Sequence, residues 1–227
     1  MTPDPSQQPA TRLGETALSP LPQHFSGASV IRRAQQHATM AWKNGGGITQ
    51  ELAVSPAGAD FNDFVWRASI AEVNRDGPFS LFSGIDRTIV LLDGAGFMLE
   101  LDQTEQHSLD QPYQPFRFAG ERAVTARLRH GPTRDFNLMV RRSAARGQLD
   151  IEHGPGTWQF NAEVALLYCE RGTVDLAFNH QAADQLHPGD LLQIDPAEAG
   201  CWTAQASAEA VLVVIRIALL PSAGAPL

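Results

Sequence analysis

Apolar residues in this chain recur in short runs or at every second position, and almost never at helical spacing over about ten residues or more. From residue 30 onward, Gly, Pro, Asn and Asp interrupt these runs every few residues, which is the punctuation of β-sandwiches and barrels. Residues 64–73 read as a strand, and Asp76-Gly77-Pro78 supplies turn chemistry before Phe79 opens the next segment. Residues 88–92 form a buried run, Asp93-Gly94-Ala95-Gly96 a tight turn, and residues 97–101 the returning strand. With 43% of 227 residues hydrophobic, the chain can bury one large β domain or two small ones sharing a core.

The same order of elements returns further along. Residues 164–168, Glu170-Arg171-Gly172 and residues 173–178 repeat the strand, turn and strand of residues 88–101, with Gly172 in the place of Gly96. Phe118-Ala119-Gly120 parallels His187-Pro188-Gly189-Asp190, and residues 135–141 parallel residues 210–216, at offsets of about 70 to 76 residues. A glycine between strands and a Pro-Gly-Asp turn before a strand are ways that small jelly rolls turn corners. The expected fold is all-β, a bicupin of two cupin-like jelly-roll barrels packed side by side. Residues 1–27 are expected as a disordered tail, 28–146 as the N-terminal barrel with the ligand pocket, and 147–221 as a smaller C-terminal barrel.

Twenty-five acidic residues against 17 basic ones leave a net charge of -8, a field that repels phosphate backbones and anionic lipid. Neither nucleic acid nor membrane is an expected partner, and the longest apolar run near the C-terminus, residues 211–220, is too short for a span and contains Arg216. Eight arginines between Arg117 and Arg146 face only Glu121 and Asp135, so this stretch forms either a locally positive face or a set of solvated side chains. Cys169 and Cys201 form no CxxC, and Cys169 sits in an apolar run as a core residue. The tail carries five prolines and no signal-peptide core, so a cytoplasmic location is expected.

The seven histidines, His24, His37, His107, His130, His153, His180 and His187, include no HxH pair with a trailing Glu, the arrangement with which a cupin strand holds a metal. No metal and no other cofactor is expected. There is no GxSxG elbow and no GK[ST], which removes serine-hydrolase and P-loop chemistry. One segment remains: Trp42-Lys43-Asn44-Gly45-Gly46-Gly47, which holds the only lysine of the chain among 16 arginines. An ammonium, an amide and uncovered backbone N–H groups are the ingredients for holding a carboxylate; equally, three glycines make a hairpin turn.

Alternation over residues 65–73 places Arg67 and Ser69 on the face of Val65, Ala71 and Val73, so that a guanidinium points into a barrel. It needs a partner, either Glu51, Asp86 or the carboxylate of a ligand. Phe79-Ser80-Leu81-Phe82 and Arg87 add an aromatic wall, a hydroxyl and a second guanidinium. Trp66 falls on the opposite face, packing between sheets. Asn137 shares its face with Asp135 and Met139, and Asp135 is expected to pair with an arginine.

The run Trp42-Lys43-Asn44-Gly-Gly-Gly-x-Thr49-x-Glu51, followed by Trp66-Arg67-x-Ser69, Asp76-Gly77-Pro78-Phe79-Ser80, Gly84-x-Asp86-Arg87 and Gly131-Pro132-Thr133-Arg134-Asp135-Phe136-Asn137, closely resembles the HutD/Ves family over residues 30–142. The resemblance implies a metal-free double cupin and, for HutD-like members, a place in bacterial histidine utilisation, whose intermediates urocanate, formiminoglutamate and formylglutamate are all carboxylates. Ves-like members are associated with stress response, and no residue decides between the branches. Carried across position by position, the ligand-binding residues are Lys43, Asn44, the backbone of Gly45, Gly46 and Gly47, Arg67, Ser69, Phe79, Ser80, Arg87 and Asn137.

The leading expectation is a metal-independent binding protein for a small carboxylate metabolite that modulates the pathway, with the second barrel completing the fold and a homodimer as the assembly considered. The alternative is a metal-free isomerase or hydrolase using Glu51, Asp86 or His130 as general base.

Overall fold

A computed structural model describes residues 29–42, 44–161, 164–195 and 200–221; Lys43 and the tail 1–27 lie outside the described residues. Among the described residues the one helical element is the 3-10 turn Ala34–Gln36, and the remaining regular structure is strand, in four antiparallel sheets. No helix of the described residues is long and apolar enough to cross a membrane.

A six-stranded sheet runs in the order Ala38–Ala41, Gly47–Ser55, Trp66–Val73, Thr133–Arg141, Ile85–Asp93, Pro115–Ala119. It faces a four-stranded sheet ordered Gly77–Pro78, Val124–Leu128, Phe97–Leu101, Glu105–Leu109. The last four strands of the six recur, in the same order, as Ala145–His153, Val211–Leu219, Val164–Arg171 and Leu191–Ile194. The smaller sheet recurs as Gly156–Asn161, Cys201–Ala206, Val174–Phe178 and Gln181–Leu186. The repeat that is faint in residue identity is therefore complete in topology.

The chain does not divide at one point. Val30–Arg32, counted with the first barrel from the sequence, instead pairs with Leu191–Ile194 and closes the edge of the second barrel's five-stranded sheet. Arg33 then fastens this crossing with ion pairs to Asp184 at 2.6 Å and Asp190 at 2.9 Å. The strand Ala145–His153 likewise runs across the expected 146/147 boundary.

Strand alternation sorts side chains between two environments. Outward positions of the six-stranded sheet, Trp66, Ala68, Ile70, Phe136, Leu138 and Val140, pack against Leu149, Leu166, Tyr168, Val213 and Ile215 of the five-stranded sheet, so the main core lies between the barrels. The second barrel's interior is filled by Phe160, Leu167, Leu176, Leu192, Trp202 and Val214. In the first barrel the apolar filling splits in two, one part around Phe97, Leu99 and Leu101 and the other around Phe64, Ile85 and Met139. Outside, Arg122, Arg127, Arg129, Arg134 and Arg142 each meet an acid, so five of the eight arginines in the arginine-rich stretch are neutralised locally.

Trp66, 2% exposed, sits at the centre of the shared core as alternation requires. Trp66→Ala is expected to lower unfolding free energy by about 3–5 kcal/mol in urea melts; a loss below about 1 kcal/mol would mean that the two barrels do not depend on this contact.

Candidate functional site

Between the two apolar ends of the first barrel lies a cavity of about 550 Å³. Inward positions of three adjacent strands make its floor: Arg67, Ser69 and Ala71 from Trp66–Val73, Asp135, Asn137 and Met139 from Thr133–Arg141, and Arg87 from Ile85–Asp93. The register brings Asn137 beside Ser69 on one side and Met139 beside Arg67 and Arg87, so period-2 alternation on paired strands is what assembles the polar group. Met40, Trp42, Asn44, Phe61, Phe79, Ser80 and Phe82 complete the wall and mouth.

The two guanidinium groups are held differently. Arg67 Nε donates to Glu51 Oε2 at 2.8 Å and Nη1 donates to Ser69 Oγ at 3.3 Å, while the guanidinium lies 5.0 Å from the Phe61 ring centre. Its acid partner is thus Glu51, one of the two carboxylates the sequence offered. The other, Asp86, faces away and binds Arg142 at 2.6 Å, because neighbours in a strand point to opposite faces. Arg87 has no carboxylate within ion-pair distance among the described residues. It donates from Nη2 to the amide oxygen of Asn137 at 2.8 Å, and its Nε has no hydrogen-bond partner. Rings of Phe79, Phe82 and Phe118 surround it at 5.1, 5.8 and 5.0 Å, an arrangement that replaces part of the lost hydration. Burial, and then the charge of Arg67, push the Arg87 guanidinium down to about 10, so it remains a cation at neutral pH.

Asn137 relays this charge inward. Its oxygen is taken by Arg87, so its Nδ2 donates to Asp135 Oδ2, at 2.6 Å. Asp135 is 1% exposed, and its Oδ1 has no hydrogen-bond partner. The sequence placed Asp135 in an arginine ion pair; the amide of Asn137 stands between the two instead. Burial raises its carboxyl to about 7 against the opposing pull of Arg87.

Of the residues singled out from the sequence, Asn44, Arg67, Ser69, Phe79, Ser80, Arg87 and Asn137 converge on the cavity. Lys43 lies outside the described residues. Gly45, Gly46 and Gly47 do not line the cavity; they make the turn between Ala38–Ala41 and Gly47–Ser55. Gly45 adopts φ +66 and donates to Trp42 O, Gly46 N–H is taken by Asn44 Oδ1, and a Cβ on Gly47 would stand 2.3 Å from Glu72 O. The N–H groups of Gly45 and Gly46 are spent locally. His130 is exposed and away from the cavity. Among the site residues that the sequence did not single out for binding are Met40, Asp135, whose place on the Asn137 face was legible, and Phe61, which sits in an irregular loop where no periodicity signals direction. No three of His, Cys, Asp and Glu gather to hold a metal among the described residues.

The HutD family model matches residues 34–213. The chain belongs to the HutD family. An uncharacterized 21.2 kDa protein in the hutC 3' region of Pseudomonas putida is 34% identical over 73% of this chain and 86% of its own length. Protein Ves of Citrobacter koseri is 37% identical over 63% of this chain and 74% of its own. The structure of HutD from Pseudomonas fluorescens SBW25, in a formate condition, superposes with a TM-score of 0.74 at 32% identity, covering 86% of this chain and all of that one (100%). A Cupin 2 conserved barrel domain protein from Leptotrichia buccalis, 7% identical with a TM-score of 0.50 over 81% of this chain and 96% of that one, shares the fold alone. The HutD-family architecture is thus a cupin-like β fold, and membership links the chain to histidine utilisation.

A carboxyl raised to about 7 contributes stability that is complete below the ordinary carboxylate range and is lost as pH rises through about 7. The empty protein should therefore lose stability toward neutral pH at up to roughly 1.4 kcal/mol per pH unit from this group. Asp135→Asn, which keeps the hydrogen bond from Asn137, should flatten that slope in denaturant melts from about pH 5 to about pH 8. Parallel curves for the two proteins would show that Asp135 ionises freely.

Proposed function

We propose that the first barrel is a binding site for a small carboxylate intermediate of histidine degradation, such as urocanate, formiminoglutamate or formylglutamate, and that capture of this metabolite modulates the pathway. The observation that carries this is Arg87: a cation withdrawn from water, lining a cavity, with no carboxylate within ion-pair distance among the described residues. A carboxylate is the ligand group that answers its charge. Arg67 supplies a second guanidinium, Ser69 and Ser80 supply hydroxyls, and Phe61, Phe79 and Phe82 suit the planar or aliphatic remainder of such a molecule.

Charge-assisted contacts are each worth about 1.5–3 kcal/mol, and two or three of them support roughly micromolar affinity after ordering costs. Arg87→Met and Arg67→Ala are each expected to weaken urocanate or formylglutamate binding about tenfold or more by calorimetry. Parent-like affinity in both Arg87→Met and Arg67→Ala would move the ligand out of this cavity.

The alternative of metal-free catalysis has one observation in its favour, the Asp135 carboxyl poised near neutrality in a cavity. Of the bases offered by the sequence, Asp86 and His130 point elsewhere and Glu51 is engaged by Arg67. Loss of urocanate absorbance on incubation with purified protein would favour this alternative; unchanged absorbance together with binding favours capture.

A further inference from the structure

Among the described residues, charge inside the cavity is balanced before any ligand enters. Among the described residues the cavity walls carry two cations, Arg67 and Arg87, and one acid, Asp135. Arg67 is covered by Glu51, so the remaining pair is Arg87 and Asp135, joined through Asn137. Among the described residues no other charged group faces Asp135. Its register partners on the flanking strands are Ala71 and Leu91, and the facing sheet contributes Phe97, Leu99 and Ala126 to the same apolar cluster. The charged and titratable residues of that facing sheet are engaged elsewhere: Glu100 pairs with Arg127, Glu105 pairs with Arg122, and His107 stacks on Phe116. Adding one carboxylate to this enclosure leaves an uncompensated negative charge in a low-dielectric space unless a proton comes with it.

Asp135 is the group able to hold that proton. Asn137 is oriented by Arg87 so that it can only donate to Oδ2, which leaves the buried Oδ1 without a hydrogen-bond partner and able to carry a proton. We propose that the cavity takes a monoanionic carboxylate together with one proton, which resides on Asp135 and leaves this residue neutral behind the bound anion. The proposal rests on the carboxylate-binding reading above and adds the protonation state and a specificity-determining residue to it. Burial already brings the Asp135 carboxyl to about 7 in the empty protein, and an anion beside Arg87 removes part of the attraction that keeps Asp135 ionised. A ligand with one negative charge is matched by this exchange, whereas a second carboxylate in the same enclosure has no equivalent proton to take up.

Formate is a suitable probe, because it is small and stays ionised throughout the range tested. Its affinity, followed by NMR shifts from about pH 6 to about pH 9, should fall about tenfold per pH unit above about 7. Calorimetry in buffers of differing ionisation heat should show uptake approaching one proton at about pH 8 and little at about pH 5.5. Asp135→Asn should abolish both the slope and the uptake. Formate binding with flat affinity and no proton uptake in the parent protein overturns the proton linkage while leaving the carboxylate site standing. Retention of the slope in Asp135→Asn overturns the assignment to Asp135, and absence of formate binding at every pH overturns both readings.

Discussion

Placing the Arg87 guanidinium inside a β-barrel imposes a condition on everything around it. A buried cation must recover what water provided, through charge, dipoles or polarisable faces. Here three phenylalanine rings and one amide oxygen do so, and no acid stands within ion-pair distance among the described residues. That choice fixes the orientation of Asn137, which in turn fixes which oxygen of Asp135 is occupied and which is free. It also keeps the barrel interior open, because apolar side chains filling the space would strand the charge. The cavity and the buried cation are two aspects of one arrangement.

The second barrel shows what the same topology does without that condition. At the inward positions equivalent to those of Ile85–Asp93 and Thr133–Arg141, it carries Ala165, Leu167, Cys169, Leu212 and Val214, all part of a continuous apolar filling. Its role in the architecture is support: the five-stranded sheet backs the floor of the cavity through the shared core, so the strands bearing Arg67, Arg87 and Asn137 are packed on their reverse side by Trp66, Phe136 and Leu138. Long-range packing of this kind holds charged side chains in place more rigidly than loops can.

Much of this was legible in the residues, because a period of two carries unambiguous information about facing. Arg67 and Ser69 inward, Trp66 outward, and Asn137 with Asp135 all follow from alternation within a single strand. The duplicated strand order was legible too, since glycines and Pro-Gly turns mark corners in both halves. What alternation cannot supply is the partner across strands. Glu51 and Asp86 were equal candidates for Arg67 until pairing register placed Glu51 opposite Ser69. The glycine triplet was ambiguous for a different reason: the conformational freedom that lets a backbone approach a ligand also lets it approach another strand, and Gly47 is used against Glu72. The crossing of Val30–Arg32 to the second barrel had no local signal, as an edge strand is chosen by the sheet it completes.

On the proposed reading the carboxylate of the ligand docks beside the Arg87 guanidinium. Nitrogen-15 NMR of the arginine Nε–H groups, with and without urocanate, reads that side chain directly. A large downfield movement of the Arg87 proton resonance on saturation, while arginines paired on the surface such as Arg122 and Arg142 stay in place, is the predicted result. An unmoved Arg87 signal in a protein saturated with ligand would place the carboxylate elsewhere.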